Sequence, residues 1–275
     1  MPPKSTKVNK NAFTTIQTFP TAFAELCGHL KKGPATANGL IKAYKGLDRL
    51  RQVLRKHRTK STTLEVKFIE ELVPILEAAV CRRVDSLIFS TIIEIILQTD
   101  YCTRCERALY LLSVSLHECT EQETKKKKKI EIGLHCLNLL LARFVDDSNV
   151  PNLRRWIGVL CTQLLRGEPE NCIIIGLCPE DIRRKIGQLV TGKGEEIIRY
   201  VCGGLIRELQ NENVLLDELW PIGSPNELYE NFPETTQLKT GWSQKFDAYL
   251  DLVVDPLESY PERLYSAYEC RLEPD

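Results

Sequence analysis

Apolar side chains recur at three- and four-residue steps along most of this 275-residue chain, a period that demands helices packed through one face. Leu40, Tyr44, Leu47, Leu50 and Leu54 fall on one such face, with Lys42, Lys45, Arg49, Arg51, Arg55 and Lys56 mainly elsewhere, in a helix ending near Arg58. Thr62 and Glu65 form a capping-box pattern ahead of the stripe Leu64, Phe68, Leu72, Ile75 and Ala79. Pro74 lies inside that stripe and is expected to kink or split the helix. Asp85 is placed to cap a helix that is apolar almost all round, through Leu87, Ile88, Ile92, Ile95 and Ile96, and so belongs at the centre of the packing.

The pattern continues over about residues 101–118, with Cys105, Ala108, Leu109, Leu112 and Leu116 inward. Thr120 with Glu123 opens a long helix reaching Phe144. Pro151 and Gly167 bracket another at its two ends, Pro179 precedes the acidic first turn Glu180-Asp181, and a last strong helix spans about Glu195 to Leu209. Only Cys172 to Leu177 offers a short strand candidate, and it suits a buried helical turn equally well.

Helix starts near 36, 62, 85, 101, 121, 150, 179 and 195 make a helix pair about every 40 residues. In period and helix character, residues 36–210 resemble armadillo and HEAT repeats, without a consensus repeat motif. The resemblance implies an all-α fold, a right-handed α-solenoid of stacked helix pairs.

Charge divides the chain further. Lys+Arg and Asp+Glu are equal at 37 each, yet residues 1–60 carry 13 Lys/Arg against Glu25 and Asp48, a net of +11. Residues 212–275 carry 14 Asp/Glu against Lys239, Lys245, Arg263 and Arg271, a net of −10. The expected organisation is a disordered basic arm (1–11), a helical repeat domain (12–211) and an irregular acidic, Pro- and aromatic-rich C-terminal segment (212–275). The segment's aromatics, Trp220, Tyr229, Phe232, Trp242, Phe246, Tyr249, Tyr260, Tyr265 and Tyr268, are too many to leave in water. It is expected to pack on the solenoid or on a partner, with short helices near 243–254 and 257–268.

The opening MPPKSTKVNKN lacks the apolar core of a signal peptide, and no apolar run reaches the roughly 20 residues of a membrane span. The expectation is a reducing compartment, nucleus or cytoplasm, with Cys81, Cys136, Cys161 and Cys202 as core thiols.

Motifs for chemistry are incomplete. Gly187-Gln-Leu-Val-Thr-Gly192-Lys193 has P-loop spacing, but Gly194 stands where Ser or Thr would bind magnesium, and a helical pattern precedes it instead of a strand. It reads as a link between helices with Gly192 as a left-handed cap. Cys102, Cys105, His117 and Cys119 are chemically suited to zinc, but a helix between them separates Cys105 from His117 by roughly 18 Å. Cys102-Cys105 lacks the βαβ setting of a redox pair. No catalytic residue, metal or cofactor is assigned.

What remains is recognition. Arg51, Arg55, Lys56, Arg58 and Lys60, with Trp242 and Phe246 as apolar anchors, are the expected partner-binding residues, and Lys125, Lys126, Lys127, Lys128 and Lys129 are candidate anion contacts. The last five repel one another at a helix start, so an anionic partner or an extended loop would relieve them. The expected function is a non-catalytic scaffold or adaptor that binds an acidic or phosphorylated segment, or an amphipathic helix, of another protein. The alternative is nucleic-acid binding by the basic region, with the acidic C-terminal segment as an autoinhibitory mimic.

Overall fold

The computed structural model describes residues 10–32, 47–56, 58, 64–79, 85–117, 121–192, 194–212, 216–234 and 241–253. Among these residues the fold is all-helical, and the one departure is an isolated parallel bridge between Leu64 and Thr99. The helices are α1 (Lys10–Lys32), α2 (47–56), α3 (Lys67–Ala79), α4 (Ser86–Gln98), α5 (Thr103–His117) and α6 (Gln122–Phe144). They continue with α7 (Pro151–Leu165), α8 (Pro169–Gly176), α9 (Glu180–Thr191), α10 (Glu196–Asn211), α11 (Glu227–Glu230) and α12 (Trp242–Val253).

The described helices pack in two rows. In one row α1 lies on α3, α3 on α5, α5 on α7 and α7 on α10; in the other α4 lies on α6 and α6 on α8. Contacts of α4 with α5, α6 with α7 and α9 with α10 join the rows. The apolar stripes read from the sequence line this seam: Leu50, Leu54, Leu72, Ile92, Ile95, Leu109, Leu112, Leu140, Leu160, Leu205 and Ile206 are all buried. At the start of the stack, the Phe68 ring meets Phe19 and Phe23 edge-on at 4.7 and 5.1 Å. As expected of a helix apolar all round, α4 is buried from Phe89 to Leu97.

Polar groups repeat the same period. Arg51 bonds Glu94, Ser86 bonds Glu131, Cys136 bonds the Ser90 carbonyl, Asn171 bonds the Lys129 carbonyl, and Arg166 bonds Glu208. These pairs are 42 to 46 residues apart, so one helix pair is tied to the next by side chains.

Helix ends agree with the sequence in part. Asp85 Oδ1 accepts from Leu87 N at 2.9 Å, Pro151 starts α7, and Gly167 supplies a φ of +68° after it. Both helices start later than the capping-box patterns predict, α3 at Lys67 and α6 at Gln122. Thr62 and Thr120 lie outside the described residues; Glu65 sits ahead of α3 and pairs with Lys67, while α6 is capped at Glu121 without a side-chain bond. Leu64 N bonds the Gln98 carbonyl at 2.8 Å, holding that residue in the bridge and delaying α3. The helix then runs through Pro74 unsplit, with the proline at an exposed position. Gly192 has φ −74° and ψ 166°, so it ends α9 in extended and not left-handed backbone. Cys172 to Leu177 is helical, in α8 and its cap. The helix α1 already includes residues 10 and 11 of the expected arm; the rest of the arm, with the expected 257–268 helix, lies outside the described residues.

The described parts of the C-terminal segment, 216–234 and 241–253, pack inward. Trp220, Phe232, Trp242, Phe246 and Tyr249 are buried against α9 and α10. Phe232 lies within 5.4 to 6.2 Å of the rings of Tyr249, Phe246, Trp220 and Trp242. Two glycines make room: a Cβ on Gly203 would lie 2.3 Å from the Phe246 ring, and one on Gly187 would lie 2.7 Å from Trp220. Trp242 Nε1 donates to Pro233 O at 3.3 Å, Tyr249 Oη to Leu228 O at 2.6 Å, and Tyr200 bonds Asp247.

Candidate functional site

The expected basic patch divides between surface and interior. Arg55, Lys56 and Arg58 are exposed at the end of α2, and Lys60 lies outside the described residues. Arg51, one turn back, points inward: its Nε and Nη2 donate to Glu94 Oε1 of α4 at 3.3 and 3.2 Å, with both side chains buried. Its guanidinium is therefore committed inside the fold. His135 of α6 stands beside this node and is held below its ordinary 6.5 by partial burial and by the Arg51 and Arg55 charges, against opposing Glu94 and Glu131.

The lysine run is helical and not an extended loop. All five residues lie within α6, where 100° per residue fans them around the helix to different neighbours. Lys125 Nζ donates to the His117 carbonyl at 3.2 Å, at the negative end of α5; Lys126 lies 3.9 Å from Glu170, and Lys128 lies over the Phe89 ring. Lys127 is exposed. Lys129 is buried, donating to the Arg166 carbonyl at 2.7 Å with Glu168 at 3.8 Å. Burial pulls the Lys129 ammonium down from its usual range and pushes the Glu168 carboxyl up, each partly countered by the other's charge. Trp242 and Phe246 are likewise buried within the chain's own aromatic cluster rather than offered as anchors.

Arginine–aromatic stacks occur on α5, α7 and α10. The guanidinium of Arg107 lies 5.2 Å from the Tyr110 ring centre, that of Arg155 lies 4.7 Å from Trp156, and that of Arg207 lies 4.8 Å from Trp242. Tyr110 and Trp156 meet edge to face at 5.2 Å, making the first two stacks continuous. Arg107 is exposed; Tyr110, Arg155, Trp156 and Arg207 are half-buried. At the margin Arg107 pairs with Glu77 of α3 at 2.9 Å, and Arg207 lies 3.5 Å from Glu208. Only the first stack had a readable sequence signal, Arg and Tyr at i and i+3 of a helix. The others need the tertiary fold, because Trp156 is next to Arg155 in sequence and Trp242 is remote from Arg207.

The motifs for chemistry resolve simply. Helix α9 runs unbroken from Glu180 to Thr191 through Gly187, so these residues form no phosphate-cradling loop; Lys193 lies outside the described residues. Cys102 and Cys105 approach to 3.6 Å between sulfurs at the start of α5, while His117 is at its far end and Cys119 lies outside the described residues. Among the described residues no three His, Cys, Asp or Glu side chains are grouped to hold a metal ion. Cys136, Cys161 and Cys202 are buried core thiols, and Cys81 lies outside the described residues. Burial pushes Cys27 and Cys178 up to about 11 and Cys105, Cys136 and Cys172 to about 12, far from the thiolate a nucleophile requires. Comparison of the chain with family models, with curated proteins and with solved structures gave no match.

Proposed function

We propose that this chain is a non-catalytic scaffold, a right-handed α-solenoid of stacked helix pairs that binds a segment of another protein across its repeat surface. The observation that carries the reading is the alternate-neighbour stacking of two helix rows, tied by side chains about one helix pair apart in sequence. Such a stack buries its core between neighbours and leaves a long face for a partner. No described helix is long and apolar enough to cross a membrane. The protein acts as a subunit of a nuclear or cytoplasmic complex.

A second reading, nucleic-acid binding, is favoured by the exposed Arg55, Lys56 and Arg58 at the end of α2. Affinity capture from nuclear and cytoplasmic extracts, with and without nuclease, separates the two. Discrete protein recovery that survives nuclease supports the scaffold. Recovery wholly lost to nuclease, and weakened by Arg55→Glu/Lys56→Glu/Arg58→Glu, overturns it for the alternative. Small-angle scattering tests the architecture: an elongated stack gives a radius of gyration well above the about 19 Å of a compact chain this long.

A further inference from the structure

We propose that Cys102 and Cys105, at the first turn of α5, are a reversible oxidation site that closes to an intrachain disulfide by exchange with a small disulfide such as oxidised glutathione. The pair is a target of thiol–disulfide exchange and not a catalyst of it, and the inference does not depend on the scaffold reading.

The geometry is already close to that of the bond. The Cys105 amide donates to the Cys102 carbonyl at 2.9 Å, so the two residues close one turn, and their sulfurs lie 3.6 Å apart. A helical turn sets α-carbons three residues apart at about 5 Å, inside the roughly 4.4–6.8 Å that a disulfide spans. Among the described residues no group of three metal-ligating side chains includes the pair, so it is not half of a metal site. The loop that the bond closes is short. It therefore draws less stability from chain entropy than a long-range disulfide does, and a thiol pool reopens it more easily.

Access sets the order of events. Among the described cysteines Cys102 alone is not buried, and Tyr101, Thr103 and Arg104 around it are exposed. Cys105 is 1% exposed, with its sulfur 3.9 Å from the Asp100 carbonyl. A dissolved oxidant RS–SR meets Cys102 first. The Cys102 thiolate attacks one sulfur of RS–SR, forming Cys102–S–SR and releasing RS⁻, which takes up a proton. Cys105 then gives up its proton, attacks the Cys102 sulfur and expels the second RS⁻, which is protonated in turn. The two cysteines lose two electrons and two protons, and the oxidant leaves as two thiols. Burial is the main reason that Cys105 stands at about 12, and a charge on Cys102 adds to it, so capping Cys102 makes the second proton easier to remove. The core thiols Cys136, Cys161 and Cys202 have no exposed neighbour in contact to start such a sequence.

The test uses the full chain, folded and reduced, in mixtures of reduced and oxidised glutathione, followed by acid quenching, alkylation and peptide mapping by mass spectrometry. Cys102 and Cys105 are expected to lose their free thiols together, as one species two hydrogens lighter, and to regain them with dithiothreitol. Diluting both forms of glutathione about tenfold at a fixed ratio separates the disulfide from a glutathione adduct: closing the pair releases two thiols, so its oxidised-to-reduced ratio is expected to rise about tenfold, while that of an adduct stays constant. Cys105→Ser is expected to stop at the adduct on Cys102, and Cys102→Ser to leave Cys105 reduced. In the unmodified protein, an adduct on Cys102 with Cys105 still free, a disulfide from Cys102 to any other cysteine, or both thiols untouched at the oxidised extreme each overturn the proposal, whatever the variants do. Oxidation of Cys105 in Cys102→Ser at the parent's rate overturns the order of attack.

Discussion

The middle of the stack and its C-terminal end solve one problem by different means. Between α2 and α8, charged and amide side chains enter the interior singly, each to a defined partner: Arg51 to Glu94, Lys129 to the Arg166 carbonyl and Glu168, Asn171 to the carbonyls of Lys129 and Leu164. At the end, Trp220, Phe232, Trp242, Phe246 and Tyr249 close over Gly187 and Gly203 as a group. Hydrogen bonds are directional, so the first arrangement fixes which turn of one helix faces which turn of the next. Ring packing is collective, so the second fills volume and covers the last helix pair, the capping a repeat array needs.

The difference predicts unequal responses to single changes. Glu94→Leu leaves the Arg51 charge buried without its partner and should cost about 3–5 kcal/mol; adding Arg51→Met should recover most of the loss. Urea unfolding midpoints of the two variants check this. A double variant no more stable than the single one would show that the pair has no special standing.

At the aromatic end, Gly203→Ala drives a methyl into the Phe246 ring and should cost about 1–3 kcal/mol. Here a partner change relieves volume instead of charge: Phe246→Leu added to Gly203→Ala should cost less than the two separate losses together. Intrinsic fluorescence reads the local event, because Trp220 and Trp242 lie in the cluster and shift to the red when it opens. A purely global transition, with no early red shift, would make the end as tightly coupled as the middle.

Helix character and the inward faces were legible in the sequence because both follow from a short period. Leu109, Leu112 and Leu116 need no distant information to be placed inside. Where charges and rings end up was not legible, for the same reason on both sides of the comparison. Nothing near Arg51 announces Glu94, 43 residues on, and the lysine run looks like one cluster until the turn of α6 sends its side chains in different directions. Likewise Trp242 and Phe246 look like anchors until both are buried in the chain's own ring cluster, with Gly203 providing the space beneath Phe246. The Tyr110–Trp156 contact that joins the Arg107 and Arg155 stacks was not legible because it forms only when α5 and α7 lie side by side.

A smaller effect separates buried charge from buried volume by its pH dependence. In Lys129→Met, Glu168 loses its nearest ammonium while keeping the burial that already raises its pKa. A carboxyl raised in the folded state binds its proton more tightly there than when unfolded, so its stabilising contribution is present at low pH and is lost as pH rises through the folded value. The variant should therefore lose more stability, relative to the parent, at about pH 8 than at about pH 5. Gly203→Ala should show no such difference, and a flat difference for Lys129→Met would mean that Lys126 replaces the lost partner.

The smallest effect concerns His135, where the exposed part of the basic cluster meets the polar middle. Its lowered folded value means that the unfolded chain takes up a proton first, so acidification through about 6.5 and below removes stability, and rising pH restores it. Burial is the leading cause, with Arg51 and Arg55 adding repulsion and Glu94 and Glu131 opposing it. Arg55→Gln removes one of the two repelling charges without touching the buried Arg51–Glu94 pair. The His135 midpoint, followed by NMR, should then move up toward the ordinary value, and acid sensitivity should lessen. Since Arg55 is exposed, added salt should move the parent's midpoint in the same direction and leave the variant's nearly in place. An unchanged midpoint in Arg55→Gln would assign the whole depression to burial and to Arg51, and would separate the surface cluster electrically from the charges inside.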